Sequence, residues 1–202
     1  MGDPAPLVKA RAATGRDSRV QTADAVSMTD QPAVPPIPDD EALERLARAR
    51  ASFVALRPRV VAGEPWPLAD DFGAGPEASW GPREVLSHTA EMLPYWLGEM
   101  ERVVEAGRSS DDPLPFGRTA GDAMRLGILE RDRVLPLREL FDRIDAGIGR
   151  WEARQPSLTR EEGNARGLHV RDGDVPATWI RDRFVIRHLE EHAVQLEEIL
   201  AR

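Results

Sequence analysis

The chain has 202 residues, of which 41% are hydrophobic, so it is long enough to fold as one domain with a substantial core. It contains no cysteine, which excludes disulfides, thiolate-bound zinc, iron–sulfur clusters and a cysteine nucleophile. The formal net charge is −8 and the cationic residues are not clustered, which argues against binding to nucleic acid. Since no apolar run reaches the about 18 residues of a membrane span, we expect a cytoplasmic protein.

Residues 1–38 differ in composition from the rest of the chain. They contain six prolines and no Phe, Trp or Tyr, so they can bury little apolar surface. They also lack the apolar stretch of a secretory signal. We therefore predict a disordered N-terminal extension over residues 1–38, and the alternative is that translation starts at Met28.

The first predicted helix starts at Asp39 or Asp40, because an aspartate can accept hydrogen bonds from the free N–H groups of a first turn. Its apolar residues follow a period of 3.6 residues. We expect it to end near Gly63, since Pro65 and Pro67 prevent it from continuing.

Two further helices are expected in the middle of the chain. The second should begin at Pro82, a residue suited to the first helical position, and run to about Ala106. The third pattern extends from about Gly121 to Gln155. Pro136 lies within it and should bend or divide the helix, because proline removes a backbone donor.

A fourth helix should follow Pro176 and continue to the C-terminus. Four helices with one apolar stripe each predict an all-α four-helix bundle over residues 39–202. The connections are long for such a bundle, which is typical of functional loops, and Asp172-Gly173 could form a hairpin turn in the last of them. They span residues 64–81, 107–120 and 156–175.

Three of the four histidines lie at positions that face the predicted core. His188 and His192 are four residues apart on the apolar face of the fourth helix, and His88 lies on an apolar stripe of the second. Neutral imidazoles are good donors to zinc, nickel, iron or manganese, and three ligands leave positions open for water and substrate. The alternative is that each histidine is a core residue satisfied by an ordinary hydrogen bond.

Other metal motifs fit less well. The zincin pattern needs a glutamate where the chain has Leu189, and the inverted pattern, with Glu191 as base, lacks a ligand far downstream. A ferritin-like carboxylate site needs Glu-x-x-His on two helices, which the chain does not provide. Glu91 and Glu191 are candidates for a base or for a residue that orients a ligand, and the alternative for both is a solvated helix position. His169, in the connection over residues 156–175, is expected to be an exposed loop histidine, and the alternative is that it lines the mouth of the site.

The chain resembles the DinB/YfiT-like superfamily of metal-dependent enzymes over about residues 40–202. The resemblance is carried by WGPREVLSH (Trp80–His88) with the following Tyr95-Trp96, and by the late H-x-x-x-H of His188 and His192. It implies a bundle of up-down-down-up topology. It also implies a divalent metal ion held by His88, His188 and His192.

The resemblance also implies a class of activity. Members of the superfamily include thiol S-transferases that use bacillithiol or mycothiol, a mycothiol-dependent isomerase and suggested hydrolases. We therefore expect metal-dependent transfer of an external low-molecular-weight thiol to a small electrophile. The alternatives are a metal-dependent hydrolase and a non-catalytic bundle that binds a metal or ligand. A small-molecule substrate and a homodimer are expected, without nucleic-acid or membrane partners.

Overall fold

The computed structural model describes residues 36–70, 72 and 77–202, and this part of the chain is mostly helical. The helices are α1 (Asp39–Ala62), α2 (Pro82–Gly107), α3 (Ala123–Asp132), α4 (Leu137–Arg154), α5 (Arg160–Gly163), α6 (Ala177–Ile180) and α7 (Arg187–Leu200). A π-helical stretch, Arg181–Ile186, joins α6 to α7, and short 3₁₀ turns cover Glu77–Ser79 and Gln155–Ser157. The strands are β1 (Leu114–Phe116), β2 (Arg166–His169) and β3 (Gly173–Pro176).

The predicted ends of the first two helices are confirmed, but the predicted aspartate cap is wrong, because Pro38 precedes α1 and no side chain caps it. Helix α1 begins with Asp39 and two further acidic residues in its first turn, where the helix dipole favours negative charge, and Gly63 follows its last residue. Helix α2 begins at Pro82 and ends one residue beyond the expected Ala106. Signals from adjacent residues in the sequence were therefore sufficient to predict where both helices begin and end.

Pro136 divides the third predicted helix in two. Helix α3 ends at Asp132, and α4 begins at Leu137, directly after the proline. Pro136 has an extended backbone with ψ 132°, which breaks the helical path, and α4 restarts because proline tolerates the position before a first turn. The side chain of Asp122 accepts a hydrogen bond from the backbone N–H of Arg125 and so caps α3.

A small three-stranded sheet departs from the predicted all-α class. Strands β2 and β3 form the expected antiparallel hairpin, and Gly173 in its turn has a φ of 76°. Strand β1, from the connection after α2, pairs parallel with β2. Because the two connections lie side by side, their backbone groups bond to each other, and the sheet fixes both connections against α2.

The four long helical segments pack around one apolar core. Helix α1 packs against α4 and α7, and α2 packs against the same two helices. Trp151 is fully buried, and its indole N–H donates to the backbone oxygen of Leu93 at 3.0 Å. A side chain at Gly147 would collide with Leu93, so α2 and α4 approach closely there. This packing places the first turns of α2 opposite α7.

The N-terminal end of the described chain is tied to the π-helical stretch. The backbone N–H of Ile37 donates to Asp182 at 2.8 Å, and the buried Arg181 donates to the backbone oxygen of Ile37 at 2.8 Å. Ile37, within the predicted extension, is therefore part of the packed core, while Met28 and most of that extension lie outside the described residues. Within the described part of the chain, no helix is both long and apolar enough to cross a membrane.

Candidate metal centre

The structure brings the three predicted histidines together. His188 Nε2 lies 2.8 Å from His88 Nε2 and 3.0 Å from His192 Nε2, although His88 is 100 residues away in sequence. His88 and His192 are 5% and 3% exposed, and the His188 side chain is 19% exposed. Three imidazole nitrogens therefore converge on one small, mostly buried volume.

A fourth side chain, Glu77, completes the cluster. Its Oε1 lies 3.9 Å from His88 Nε2 and its Oε2 lies 3.8 Å from His188 Nε2. One donor atom from each of the four residues lies within 4.8 Å of the others. The sequence analysis did not single out Glu77, which belongs to the connection between α1 and α2.

Two elements position the histidines. His88 lies in the second turn of α2, where its ring makes an edge contact with the buried Trp80, two residues before the helix. His188 and His192 lie one turn apart at the start of α7, directly after the π-helical stretch. A π-helical turn changes which residues share a face, and such turns are frequent at functional sites.

Gln195 fixes the proton on His192. The Gln195 amide nitrogen donates to the backbone oxygen of Glu77 at 2.7 Å, so the amide oxygen is the atom that faces His192 Nδ1 at 2.9 Å. That oxygen can only accept, so the His192 proton lies on Nδ1. The lone pair of Nε2 is then directed at the cluster, as metal binding requires.

Glu191 has the equivalent position beside His188. Its Oε2 lies 3.4 Å from His188 Nδ1, and its side chain is 59% exposed. A carboxylate here favours a proton on Nδ1 and leaves Nε2 free. The predicted role as an orienting residue thus fits the geometry, and Glu191 is also a solvated helix position.

Arg125 contacts the remaining ring. Its Nη2 lies 3.3 Å from His88 Nδ1, and a guanidinium group can only donate. In this arrangement Nδ1 accepts, and the His88 proton lies between its Nε2 and His188 Nε2. A metal ion on His88 Nε2 would require this proton to move to Nδ1, where it would compete with the Arg125 contact.

Burial keeps two of the histidines neutral. It lowers the pKa of His88 well below its usual value, and the neighbouring His188 and His192 lower it further. Burial and the proximity of His188 also lower the pKa of His192, to about 4. Both rings are therefore neutral at pH 7, which is the state that binds metals.

The donor set fits a divalent ion. Protein nitrogens bind zinc and similar ions at about 2.0–2.1 Å, so two nitrogens on one ion lie at most about 4.2 Å apart. The observed separations of 2.8 and 3.0 Å satisfy that limit. Glu77, His88, His188 and His192 could therefore hold a metal ion. A cavity of about 650 Å³ opens beside them and reaches Glu77, His188 and His192.

Glu91 lies outside the cluster. It is 8% exposed and accepts from Arg118 Nη2 at 2.5 Å through both carboxylate oxygens, so the alternative of a solvated position is wrong. Arg118 in turn lies 3.7 Å over the ring of Tyr95. Because the ion pair occupies both oxygens of Glu91, this residue is a poor candidate for a base.

His169 is also separate from the cluster, and its predicted exposure is wrong. It is 4% exposed and packs among aromatic rings. Its Nδ1 lies 2.6 Å from Asp172 Oδ2 across the hairpin turn. The hairpin folds back onto α2, and this packing buries a residue that its loop context suggests is exposed.

Comparisons of the chain with protein-family models, with curated proteins and with solved structures find no match. Membership of the DinB/YfiT-like superfamily therefore stays a prediction, and the residues of the cluster are the basis for assigning a function.

Proposed function

We propose that this chain is a metal-dependent enzyme in which His88, His188 and His192 hold a divalent ion. We also propose that its long helices form the four-helix bundle, of up-down-down-up topology, that the resemblance implies. The packing of α1 and α2 on both α4 and α7 supports such a bundle. The Nε2 atoms of His88 and His192 both lie within 3.0 Å of His188 Nε2, and this convergence carries the metal proposal.

A packed-core alternative explains the convergence less well. His192 Nε2 carries a lone pair and lies 3.0 Å from His188 Nε2. Glu191 favours a proton on His188 Nδ1, so His188 Nε2 carries a lone pair as well. Two lone pairs at this distance repel each other unless a proton or a metal ion lies between them. The proton on His88 Nε2 satisfies His188 Nε2, and none of the described residues then offers a donor to His192 Nε2, so the arrangement favours a metal.

The reaction that fits best is transfer of a low-molecular-weight thiol to a small electrophile. When bound, a divalent ion lowers the pKa of a coordinated thiol or water and so generates a nucleophile at neutral pH. The chain's own residues orient the ligands through Gln195 and Glu191, and the burial of His88 and His192 keeps them neutral. The thiol has to come from outside, because the chain has no cysteine.

The cavity beside the cluster supports a small-molecule substrate. Its volume of about 650 Å³ lies within the range of sites for small ligands, and apolar residues such as Val194 and Ile199 line it together with the histidines. A substrate there would contact the exposed side of the His188 ring. The site therefore combines metal ligands with space for an organic reactant.

Metal analysis of protein prepared without a histidine tag tests the metal proposal. We expect about one bound ion for each chain after reconstitution, and loss of that ion in His88→Ala and His192→Ala. Equal metal contents in the wild type and both variants would contradict the site. A panel of electrophiles, each with and without added thiol, then tests the reaction, since hydrolysis needs no thiol.

A further inference from the structure

A buried arginine holds the Glu77 carboxylate in place. Arg125 Nη2 donates to Glu77 Oε1 at 2.7 Å, and Arg125 is 6% exposed. Its Nη1 donates to the backbone oxygen of Ala120 at 2.9 Å, and its backbone N–H is bound by Asp122 at the start of α3. The guanidinium group is therefore anchored on two sides, and it fixes one oxygen of the carboxylate.

The other oxygen of Glu77 faces the histidines. Oε2 lies 3.8 Å from His188 Nε2, which is within the about 4.2 Å that separates two donors on opposite sides of one ion. The backbone of Glu77 is held as well, because its oxygen accepts from Gln195 at 2.7 Å. Glu77 is thus oriented by α3 and by the helix that carries His188 and His192.

We propose that Glu77 is a fourth protein ligand, which binds the ion through Oε2, and that Arg125 is the positioning residue that retains Oε1. This inference rests on the proposed metal site. Its physical basis is charge as well as distance. A divalent ion beside the buried guanidinium group of Arg125 would be repelled, and a carboxylate between the two offsets both charges.

A fourth protein ligand restricts the metal. Zinc in proteins usually takes four ligands, so three imidazoles and a carboxylate would leave no position for a substrate. Manganese, iron and nickel accept up to six ligands and would keep two positions open. If Glu77 binds, the catalytic ion therefore belongs to this second class.

Titration of tag-free, metal-free protein with Co²⁺ tests the role of Glu77. The visible absorption of Co²⁺ is strong in four-coordinate sites and weak in sites with five or six ligands. For the wild type we expect weak absorption. Glu77→Gln should bind Co²⁺ at least about tenfold less tightly and with a changed spectrum. Glu198→Gln is the matched control, because Glu198 lies on the same cavity without a described contact to the histidines, and it should match the wild type.

The possible failures are distinguishable. If the wild type binds no Co²⁺, the proposed function fails and this inference fails with it. If the wild type binds Co²⁺ and Glu77→Gln binds it with the same affinity and spectrum, only the fourth ligand is refuted, and Glu77 is a counter-ion for Arg125. Strong absorption in the wild type, as in four-coordinate Co²⁺ sites, would refute the inference that the site holds an ion with more than four ligands.

A double-mutant cycle tests Arg125 as a positioning residue. Arg125→Met should weaken Co²⁺ binding in the wild type, because the carboxylate loses its positioning, and should not weaken it in the Glu77→Gln background, where the guanidinium group only repels the ion and donates to His88 Nδ1. An equal loss in both backgrounds would show that Arg125 supports only the fold. Circular dichroism checks the fold of each variant. If Arg125→Met does not fold, Arg125→Lys replaces it. This variant keeps the positive charge and loses the planar set of donors of the guanidinium group, and it should give an intermediate affinity.

Discussion

Acidification of the metal-free protein should destabilise it through His192 well above the pH at which carboxylates are protonated. The pKa of His192 is about 4 in the folded protein, against a usual value of 6.5 for the unfolded chain. Between these values the unfolded chain binds more protons than the folded one. The free energy of unfolding therefore falls as the pH is lowered from about 6.5 towards 4, and it is constant, as far as this group is concerned, above that range.

The magnitude follows from the two pKa values. A pKa separation between 6.5 and about 4 corresponds to about 3 kcal/mol in total, and about 2 kcal/mol of this is lost by pH 5. His88 acts in the same direction, because its pKa is also lowered by burial. The tightly paired Glu162 has a pKa of about 2, and its usual value of 4.5 places its own loss of stability mostly below pH 5.

Urea unfolding of chelator-treated protein at several pH values between 7.5 and 5 measures the effect. The control is His192→Gln, whose side chain is neutral at every pH. The difference in unfolding free energy between wild type and variant should shift by about 2 kcal/mol across the range, in the direction that penalises the wild type at low pH. Parallel curves, with a difference constant to within about 0.5 kcal/mol, would refute the conclusion that His192 is buried and neutral.

Three other changes probe the site and its surroundings. Saturating metal should raise the melting temperature of the wild type and leave His188→Ala unchanged, since a thousandfold excess over Kd is worth about 4 kcal/mol; equal shifts would contradict the site. Gln195→Leu should weaken metal binding about 10–100-fold in a chelator competition, and an unchanged affinity would show that Gln195 does not fix the His192 proton. Gly117→Ala should lower the unfolding free energy in urea by about 2 kcal/mol or more, because Gly117 has a φ of 86° and its Cβ would lie 2.4 Å from the His169 ring. Gly121→Ala, with nothing within 4 Å, is its control, and similar losses for the two variants would contradict the tight contact.

Most of the helical structure could be predicted because its signals are local. Pro82 and Pro136 act on the backbone next to them, and the acidic residues in the first turn of α1 favour its start through the helix dipole, so these ends follow from a few adjacent residues. The hairpin at Gly173 is local in the same sense. Strand β1 is not, because its parallel partner β2 lies about 50 residues further along the chain. No periodicity in either connection indicates that the two would meet.

The same distinction applies to the site. Helical spacing placed His188 and His192 on one face of the fourth predicted helix and His88 on an apolar stripe of the second. Glu77 could not be found in this way, since its position depends on contacts with Arg125 and Gln195, which lie 48 and 118 residues away in sequence. Glu91 is the converse case. It lies one turn from His88, which is the spacing of an orienting residue. Its carboxylate is bound instead by Arg118, which is 27 residues away in sequence.

The contacts of Glu77 explain how a side chain from a long connection can belong to an ordered site. Its backbone oxygen is held by Gln195, and the same amide fixes the proton of His192. Its side chain is held by Arg125, which also contacts His88. Gln195 and Arg125 therefore each contact a histidine and Glu77 at the same time. The ligand geometry and the position of the connection are thus set by one hydrogen-bond network, so a change that displaces either is expected to displace both.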